Sequence, residues 1–169
     1  MNPTAIIKLK DQGEMKFELF LDTPNSTANF IALAEAGFYD GLNFHRVIPG
    51  FVAQGGCPDG TGMGGPGYTI DGEFSSNGFE NPHLHEVGVL SWARSMARNS
   101  AGSQFFITIG AANFLDGDYA VFGKILRGEE FLELFNKIGT NSGTPQENII
   151  IETIKIEKNG NDIPQVIKV

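Results

Sequence analysis

The sequence has only one cysteine, no long apolar run and few positive charges, and each shortage excludes a class of protein. Cys57 has no second cysteine to pair with inside the chain, so nothing indicates an oxidising compartment. No stretch approaches the roughly eighteen uninterrupted apolar residues of a membrane-spanning helix. The first residues also lack a basic segment followed by an apolar one. We therefore expect a cytoplasmic protein that does not enter a membrane.

The shortage of positive charge argues against nucleic acid as a partner. Lysine and arginine number 12 against 20 aspartates and glutamates, which gives a formal net charge of -8. Proteins that bind phosphate backbones need a basic surface, because the release of counterions supplies most of their non-specific affinity. The longest basic grouping here is Arg94 with Arg98. The same acidic surface opposes self-association, so we expect a monomer.

Signatures of nucleotide, metal and nucleophilic chemistry are missing as well. The glycine-rich run 60–67 lacks the Gly-Lys-Ser/Thr ending of a phosphate-binding loop and is typical of a flexible loop. His83 and His85 have no third and fourth ligand beside them, so ordinary surface or loop histidines are the simpler interpretation. Cys57 lacks a Cys-His signature, and no Gly-x-Ser-x-Gly motif marks a serine hydrolase. We expect neither a metal nor a cofactor.

What the sequence does contain is enough apolar material for one folded core. Of its 169 residues, 41% are hydrophobic and 14 are phenylalanine. A chain of this length is typical of one domain, which we expect to span residues 1–169. The 22 glycines follow no collagen period and indicate many tight turns in a β-rich fold.

Two helices and about eight strands are predicted from the local patterns. Thr23 as N-cap and Pro24 as first helical residue predict a helix that ends near Gly37. Acidic residues at 129–130 and an apolar stripe predict a second helix that ends at Gly139. Strands are predicted at 5–9, 15–19, 44–48, 51–54, 87–93, 105–109, 119–126 and 149–156. Because no βαβ alternation occurs, the fold class we expect is mainly β: a closed eight-stranded antiparallel β-barrel capped by two α-helices.

Arg46 lies in one of the predicted strands, between Phe44 and Phe51. By position alone, an arginine whose stem lies along the sheet and whose head pairs with an acidic residue is the simpler interpretation. The sequence around Arg46 favours a functional interpretation instead.

Four blocks of sequence, in order and in register from about residue 5 to 157, resemble the cyclophilin family of peptidyl-prolyl isomerases. They are FHRVIPGFVAQGG at 44–56, GVLSWARS at 88–95, SAGSQFFI at 100–107, and FLDG at 114–117 with VFGK at 121–124. The connection 93–104 is more similar to bacterial members than to animal ones.

The resemblance implies the barrel with two helices and assigns roles to individual residues. The family's catalytic arginine corresponds to Arg46, and Gln54 and Gln104 correspond to glutamines that hold this arginine and bind the substrate backbone. The remaining substrate-binding positions are Phe51, Val52, Phe106 and Leu115 for the proline pocket, Tyr119 at its rim, Phe114, and Ala93, Arg94 and Ser95 beside the peptide.

Three of the pocket positions differ from the best-known eukaryotic form. Val52 replaces a methionine, which shortens one wall, and Tyr119 replaces a histidine but keeps an aromatic ring with a polar tip. Phe114 replaces the tryptophan that contacts cyclosporin in the family, so we expect weakened cyclosporin binding. Trp92 is not that tryptophan, because it lies in a strand beside Ala93.

The implied reaction agrees with the missing signatures, since rotation about an X-Pro bond breaks no bond and needs neither nucleophile nor metal. We expect an isomerase that acts on proline-containing peptides and on unfolded or folding proteins, with Arg46 stabilising the twisted bond. The alternative is a module or chaperone that binds proline-containing partners and whose catalysis is incidental or lost.

Overall fold

The computed structural model describes residues 1–169 as a curled eight-stranded antiparallel sheet with two α-helices. The strands are β1 Thr4–Leu9, β2 Gly13–Leu19, β3 Arg46–Ile48, β4 Val52–Gly55, β5 Val89–Trp92, β6 Phe105–Thr108, β7 Val121–Arg127 and β8 Ile151–Glu157. The helices are α1 Pro24–Glu35 and α2 Glu130–Ile138, and 3₁₀ turns occupy Ser75–Asn77 and Asn113–Leu115. The predicted mainly β class, strand number and two helices are confirmed. Neither helix is long and apolar enough to cross a membrane.

The barrel closes less completely than predicted. The strand order is β3-β4-β6-β5-β7-β2-β1-β8, and the edge strands β3 and β8 do not pair with each other. Contact across this gap consists of an isolated bridge between Asn43 and Ile150 and of backbone bonds beside it, such as Phe44 N–H to the Ile149 carbonyl at 3.1 Å. The residues that meet there precede β3 and β8 and are irregular, so only a short ladder can form. "Closed" therefore slightly overstates the fold.

The N-terminal hairpin shows how sequence alternation becomes an inner and an outer face. Ile7 pairs with Met15 and both are fully buried, whereas the neighbouring pair Lys8 and Glu14 lies on the outer face. Successive strand residues point to opposite faces, so one apolar set enters the core. Asp11 takes a positive φ of 61° in the tight turn between the strands, a conformation that aspartate tolerates better than most residues.

Helix α1 begins where the sequence predicts but is capped from elsewhere. Thr23 occupies the N-cap position, yet its hydroxyl donates to the Phe20 carbonyl and makes no capping bond. Glu73, from the long connection between β4 and β5, accepts the N–H groups of Ser26 at 2.6 Å and Asn25 at 3.4 Å. A carboxylate at this end satisfies unpaired N–H groups and interacts favourably with the helix dipole. The long connection is thereby fixed to α1.

Aromatic side chains fill the inside of the curled sheet. Phe30 of α1 contacts the rings of Tyr39, Trp92, Phe105 and Phe122 at centroid distances between 5.3 and 6.2 Å. Their exposed fractions are at most 2%, so Trp92 belongs to the core. Because aromatic side chains fill the inside of the curled sheet, we expect a polar site on its outer face.

Candidate active site

Arg46 stands at one end of a row of side chains on the outer face of the sheet. It lies opposite Gln54 on β4, which in turn lies opposite Phe106 on β6. Directly opposite residues in antiparallel strands point to the same face. Their chain neighbours Val47 and Phe105 point inward and are fully buried. The strand register therefore brings together residues that are up to 60 positions apart in the sequence.

A chain of amide hydrogen bonds holds the Arg46 guanidinium. Its Nη1 donates to Gln54 Oε1 at 3.1 Å, and Gln54 Nε2 donates to Gln104 Oε1 at 3.0 Å. Gln104 Nε2 donates to the carbonyls of Gly62 and Gly64, both at 2.9 Å. Each glutamine accepts a hydrogen bond through its Oε1 and donates through its Nε2. These bonds fix the orientation of both amides and of the arginine.

Arg46 has no acidic partner, contrary to the simpler interpretation of its position. None of the ion pairs in the structure includes it, and its single side-chain hydrogen bond goes to the neutral amide of Gln54. A guanidinium carries five N–H donors, so most of them remain free at the exposed edge of the sheet. The charge is oriented but not neutralised.

A cavity of about 420 Å³, here the first cavity, opens beside this guanidinium. Strands supply two of its walls, because Val52 and Phe106 lie on β4 and β6 and are exposed by only 2% and 4%. Its lining comprises His45, Arg46, Phe51, Val52, Gln54, Thr61, Gly62, Ala93, Arg94, Phe106, Leu115 and Tyr119. A pocket that places apolar walls beside a guanidinium can hold a small ring and act on the bond next to it.

A second cavity of about 560 Å³ continues from the first one. Both are lined by Gln54, Gly62, Ala93 and Arg94, so together they form one groove. Ser95 lines only the second cavity, which is otherwise formed by residues 63–69, 100 and 102–104. Glycines and residues with hydroxyl or amide groups make up most of its lining, whereas half of the residues around the first cavity are hydrophobic.

Arg94 positions Tyr119 in addition to lining the groove. Its Nη2 donates to the Asp118 carbonyl at 2.6 Å, and its guanidinium carbon lies 4.5 Å from the Tyr119 ring centroid and 4.9 Å from that of Phe74. Stacking of this kind suits the flat guanidinium.

Phe114 lies outside the first cavity. Its side chain is 73% exposed, and its ring centroid is 5.5 Å from that of Phe51. It contacts Phe51 but forms no part of the cavity lining, so the structure does not place this predicted substrate-binding residue in the pocket.

His85 is a component of the site that the sequence did not identify. It is fully buried, with Nδ1 2.9 Å from Asp116 Oδ1 and Nε2 2.9 Å from Ser91 Oγ. Its ring is stacked with that of Phe106 at 5.9 Å, and Tyr119 meets it edge-on at 6.5 Å. Burial lowers the pKa of His85, and the nearby Asp116 carboxylate acts in the opposite direction.

The Asp116–His85–Ser91 arrangement shares its connectivity with a hydrolytic triad but not its accessibility. Ser91 is fully buried and lines neither cavity, so its hydroxyl cannot reach a substrate. The three residues instead connect β5 to the end of the 3₁₀ turn that carries Leu115. No local pattern marks this role, since His85 meets its partners only through the fold.

Three further groups of the first cavity were absent from the predicted site: His45, Thr61 and Gly62. His45 belongs to the FHR block, and burial together with the Arg46 charge lowers its pKa, against a smaller opposite effect of Asp59. Thr61 and Gly62 come from the glycine-rich run, whose fold depends on Cys57. The buried Cys57 sulfur accepts the N–H groups of Gly62 and Gly64, both at 3.3 Å.

The chain places no group of three or more His, Cys, Asp or Glu side chains where they could hold a metal ion. His83 binds the Asp22 carboxylate at 2.7 Å and stacks on Phe20 at 3.8 Å, whereas its sequence neighbour His85 is buried and binds Asp116 and Ser91.

Comparison with known proteins gives a family match over most of the chain. The family model for cyclophilin type peptidyl-prolyl cis-trans isomerases matches residues 4–156. Peptidyl-prolyl cis-trans isomerase B of Bacillus subtilis is 52% identical over 129 residues, which are 76% of this chain and 87% of that protein. A peptidyl-prolyl cis-trans isomerase of Helicobacter pylori is 48% identical over 137 residues, covering 80% of each chain.

Solved structures give the same match. A cyclophilin-type peptidyl-prolyl cis-trans isomerase of Cryptosporidium parvum superposes with a TM-score of 0.84 at 36% identity, covering 93% of this chain and 98% of that one. A second structure of that protein, obtained in the presence of the dipeptide Ala-Pro, superposes with a TM-score of 0.82 at 37% identity and covers 91% and 98% of the two chains.

Proposed function

The chain belongs to the cyclophilin-type peptidyl-prolyl cis-trans isomerase family, and we propose that its first cavity holds the prolyl ring while Arg46 stabilises the twisted imide. Peptidyl-prolyl isomerisation is the activity for which its relatives are named. The observation that carries the proposed mechanism is a fixed, unneutralised guanidinium beside the apolar walls of the first cavity.

The reaction requires a group that binds the twisted bond better than the planar one. Rotation about an amide must overcome a barrier of about 18–20 kcal/mol that C–N double-bond character imposes. As the bond twists, the prolyl nitrogen loses conjugation and its lone pair becomes able to accept a hydrogen bond. A donor that meets this lone pair, or the adjacent carbonyl oxygen, lowers the barrier because its contact strengthens in the transition state.

Arg46 suits this task because its geometry is set before substrate arrives. The Gln54–Gln104 chain fixes one edge of the guanidinium, and the remaining N–H groups are free to donate. Gly143 supports the arginine stem: a Cβ at this glycine would come within 3.1 Å of Arg46 Cγ. Because the guanidinium is already oriented, it needs to reorganise little when charge shifts on the substrate.

The substrate we propose is an exposed X-Pro segment of a peptide or of an unfolded or folding protein. The Cryptosporidium relative studied with Ala-Pro supports a proline-containing ligand. A single domain over residues 1–169 is consistent with one core that includes Ala5 and Ile154. We also propose a monomer, and weak cyclosporin binding because Phe114 offers a smaller aromatic surface at the rim than tryptophan would.

Replacement of Arg46 by alanine tests the mechanism. We expect turnover of a short Ala-Pro peptide to fall by about 10²–10³-fold, the usual loss for one transition-state donor, with peptide affinity partly kept. Arg46→Lys should recover little, because lysine lacks the planar fork that Gln54 holds. Isomerisation is measured by NMR exchange, and affinity by titration of peptide shifts. Near-normal turnover of Arg46→Ala would contradict the mechanism.

The same experiment separates catalysis from simple binding. If the wild type binds the peptide but exchange is no faster than in the peptide alone, the protein acts as a proline-binding module. Circular dichroism of each variant controls for folding.

A further inference from the structure

The C-terminal segment, residues 158–169, lies outside the part of the chain that matches the family model. It has no regular secondary structure but is attached to the body of the protein. Ile163 and Val166 pack against the hydrophobic core, where they line a cavity together with residues of α1. Most of the other side chains of the segment are exposed.

Beyond these apolar contacts, the segment is joined to the first turn of α1 and to the glycine-rich connection. The Asn25 side chain binds both polar groups of the Ile167 backbone, donating to its carbonyl at 2.9 Å and accepting its N–H at 2.8 Å. Val169 N–H donates to the Thr69 carbonyl at 2.8 Å, and Lys168 Nζ lies 4.4 Å from the Tyr68 ring centroid. These contacts fasten the segment alongside residues 68–69.

Residues 66–69 form one wall of the second cavity, and their other side is supported by α1. The Tyr68 hydroxyl donates to Asn29 Oδ1, while Asn29 Nδ2 donates to the Gly102 carbonyl at 2.8 Å. Gly102 lines the same cavity. A Cβ at Gly102 would come within 2.7 Å of Pro66, so residues 66–69 pack closely against Gly102. The fully buried Asn29 connects the two through its side chain.

We propose that the C-terminal segment determines substrate specificity by holding the 66–69 wall of the second cavity in place. The segment covers Tyr68 from outside while Asn29 binds it from inside. Since Arg46 and the buried walls Val52 and Phe106 of the first cavity lie on strands, the segment should leave chemistry at the prolyl bond unchanged. It should affect residues next to the proline that extend into the second cavity, where hydroxyl, amide and backbone groups favour a polar side chain.

The proposal rests on the proposed function of the groove. Two substrates of different length test the isomerase mechanism and the role of the C-terminal segment separately. The short substrate is a blocked Ala-Pro dipeptide that occupies the first cavity, and the long one extends it by two serines on each side. NMR exchange measures kcat/KM for both. Turnover of the short substrate tests the isomerase mechanism, whereas the long-to-short ratio tests the C-terminal segment and does not depend on the fraction of active protein.

For a variant that ends at Glu157, we expect kcat/KM on the long substrate to fall about three- to tenfold, as is typical when a coupling contact is removed. The short substrate should change less than twofold. Asn25→Ala, which releases Ile167 but keeps the segment, should lower the ratio in the same direction by a smaller factor. Gln165→Ala is the matched control, because Gln165 is exposed and makes no hydrogen bond, and it should leave the ratio unchanged.

Amide shifts provide a second measurement. In the shortened variant we expect the resonances of Gly65, Gly67 and Thr69 to move while those of Val52 and Ala53 stay in place. An unchanged long-to-short ratio, or an equal loss on both substrates, would overturn the proposal even if the enzyme remains active.

Discussion

The two cavities of the groove share Gln54, Gly62, Ala93 and Arg94 but are built from different parts of the chain. The first has strand residues in its walls, and the buried His85 lies behind them. The second consists mostly of connections whose shape depends on side-chain-to-backbone bonds, such as those of Gln104 and Asn29. Sheet pairing provides a fixed apolar surface, whereas loops present the backbone and polar groups that can adapt to different residues. One groove thus combines a part fixed by sheet pairing with a part whose shape depends on loops.

The largest expected difference between the two cavities is in the effect on stability of truncating one side chain from each. Phe106→Ala removes a buried ring, and we expect the free energy of unfolding to fall by about 3–5 kcal/mol. Met63 lines the second cavity and is 89% exposed. The free energy of unfolding of Met63→Ala should therefore stay within about 0.5 kcal/mol of the wild-type value. Urea denaturation measures both values. The KM of a short Ala-Pro peptide should rise only for Phe106→Ala, and equal effects of the two changes would contradict the contrast.

Gln104 tests how far the cavities depend on each other, because it binds the loop carbonyls of the second and orients Gln54 in the first. We expect Gln104→Ala to lower kcat about tenfold on short and long substrates alike, since it releases Arg46 and leaves two carbonyls without their donor. Asn99→Ala is a suitable control, because that side chain binds Gly72 and Asn77 instead. A loss confined to long substrates would show that Arg46 is held without Gln104.

The smallest expected effect is a pH dependence that originates behind the first cavity. Burial lowers the pKa of His85 below its ordinary value of 6.5, so between the two pKa values the unfolded chain binds more protons than the folded one. The free energy of unfolding should therefore decrease as the pH falls below about 6.5 and be insensitive to His85 above it.

Urea denaturation of the wild type and His85→Gln across this pH range measures the difference. The variant should be less stable at neutral pH but lose less stability on acidification. His45, whose pKa is also lowered, contributes with the same sign, so His45→Gln should reduce the slope too. Parallel curves for the wild type and His85→Gln would contradict a neutral buried His85.

Much of this protein is determined locally by its sequence. Period-two alternation sets β1 and β2, and the apolar stripes with their Pro24 and Gly139 boundaries set the helices. The FHR block and its three companions indicate the family and single out Arg46 before any contact is known. These features depend on residues that are close in sequence, where periodicity and backbone preference are sufficient.

Other features exist only because the sheet brings distant residues together. Alternation alone does not tell which of Phe105 and Phe106 enters the core and which lines the groove; pairing with β4 decides this. Pairing likewise leaves Arg46 opposite Gln54 and away from any carboxylate. Tertiary packing also buries His85 between Asp116 and Ser91 and makes Glu73 the cap of α1. A group's desolvation and its hydrogen-bond partners are properties of position in three dimensions, so local sequence could single out Arg46 but could not predict its surroundings.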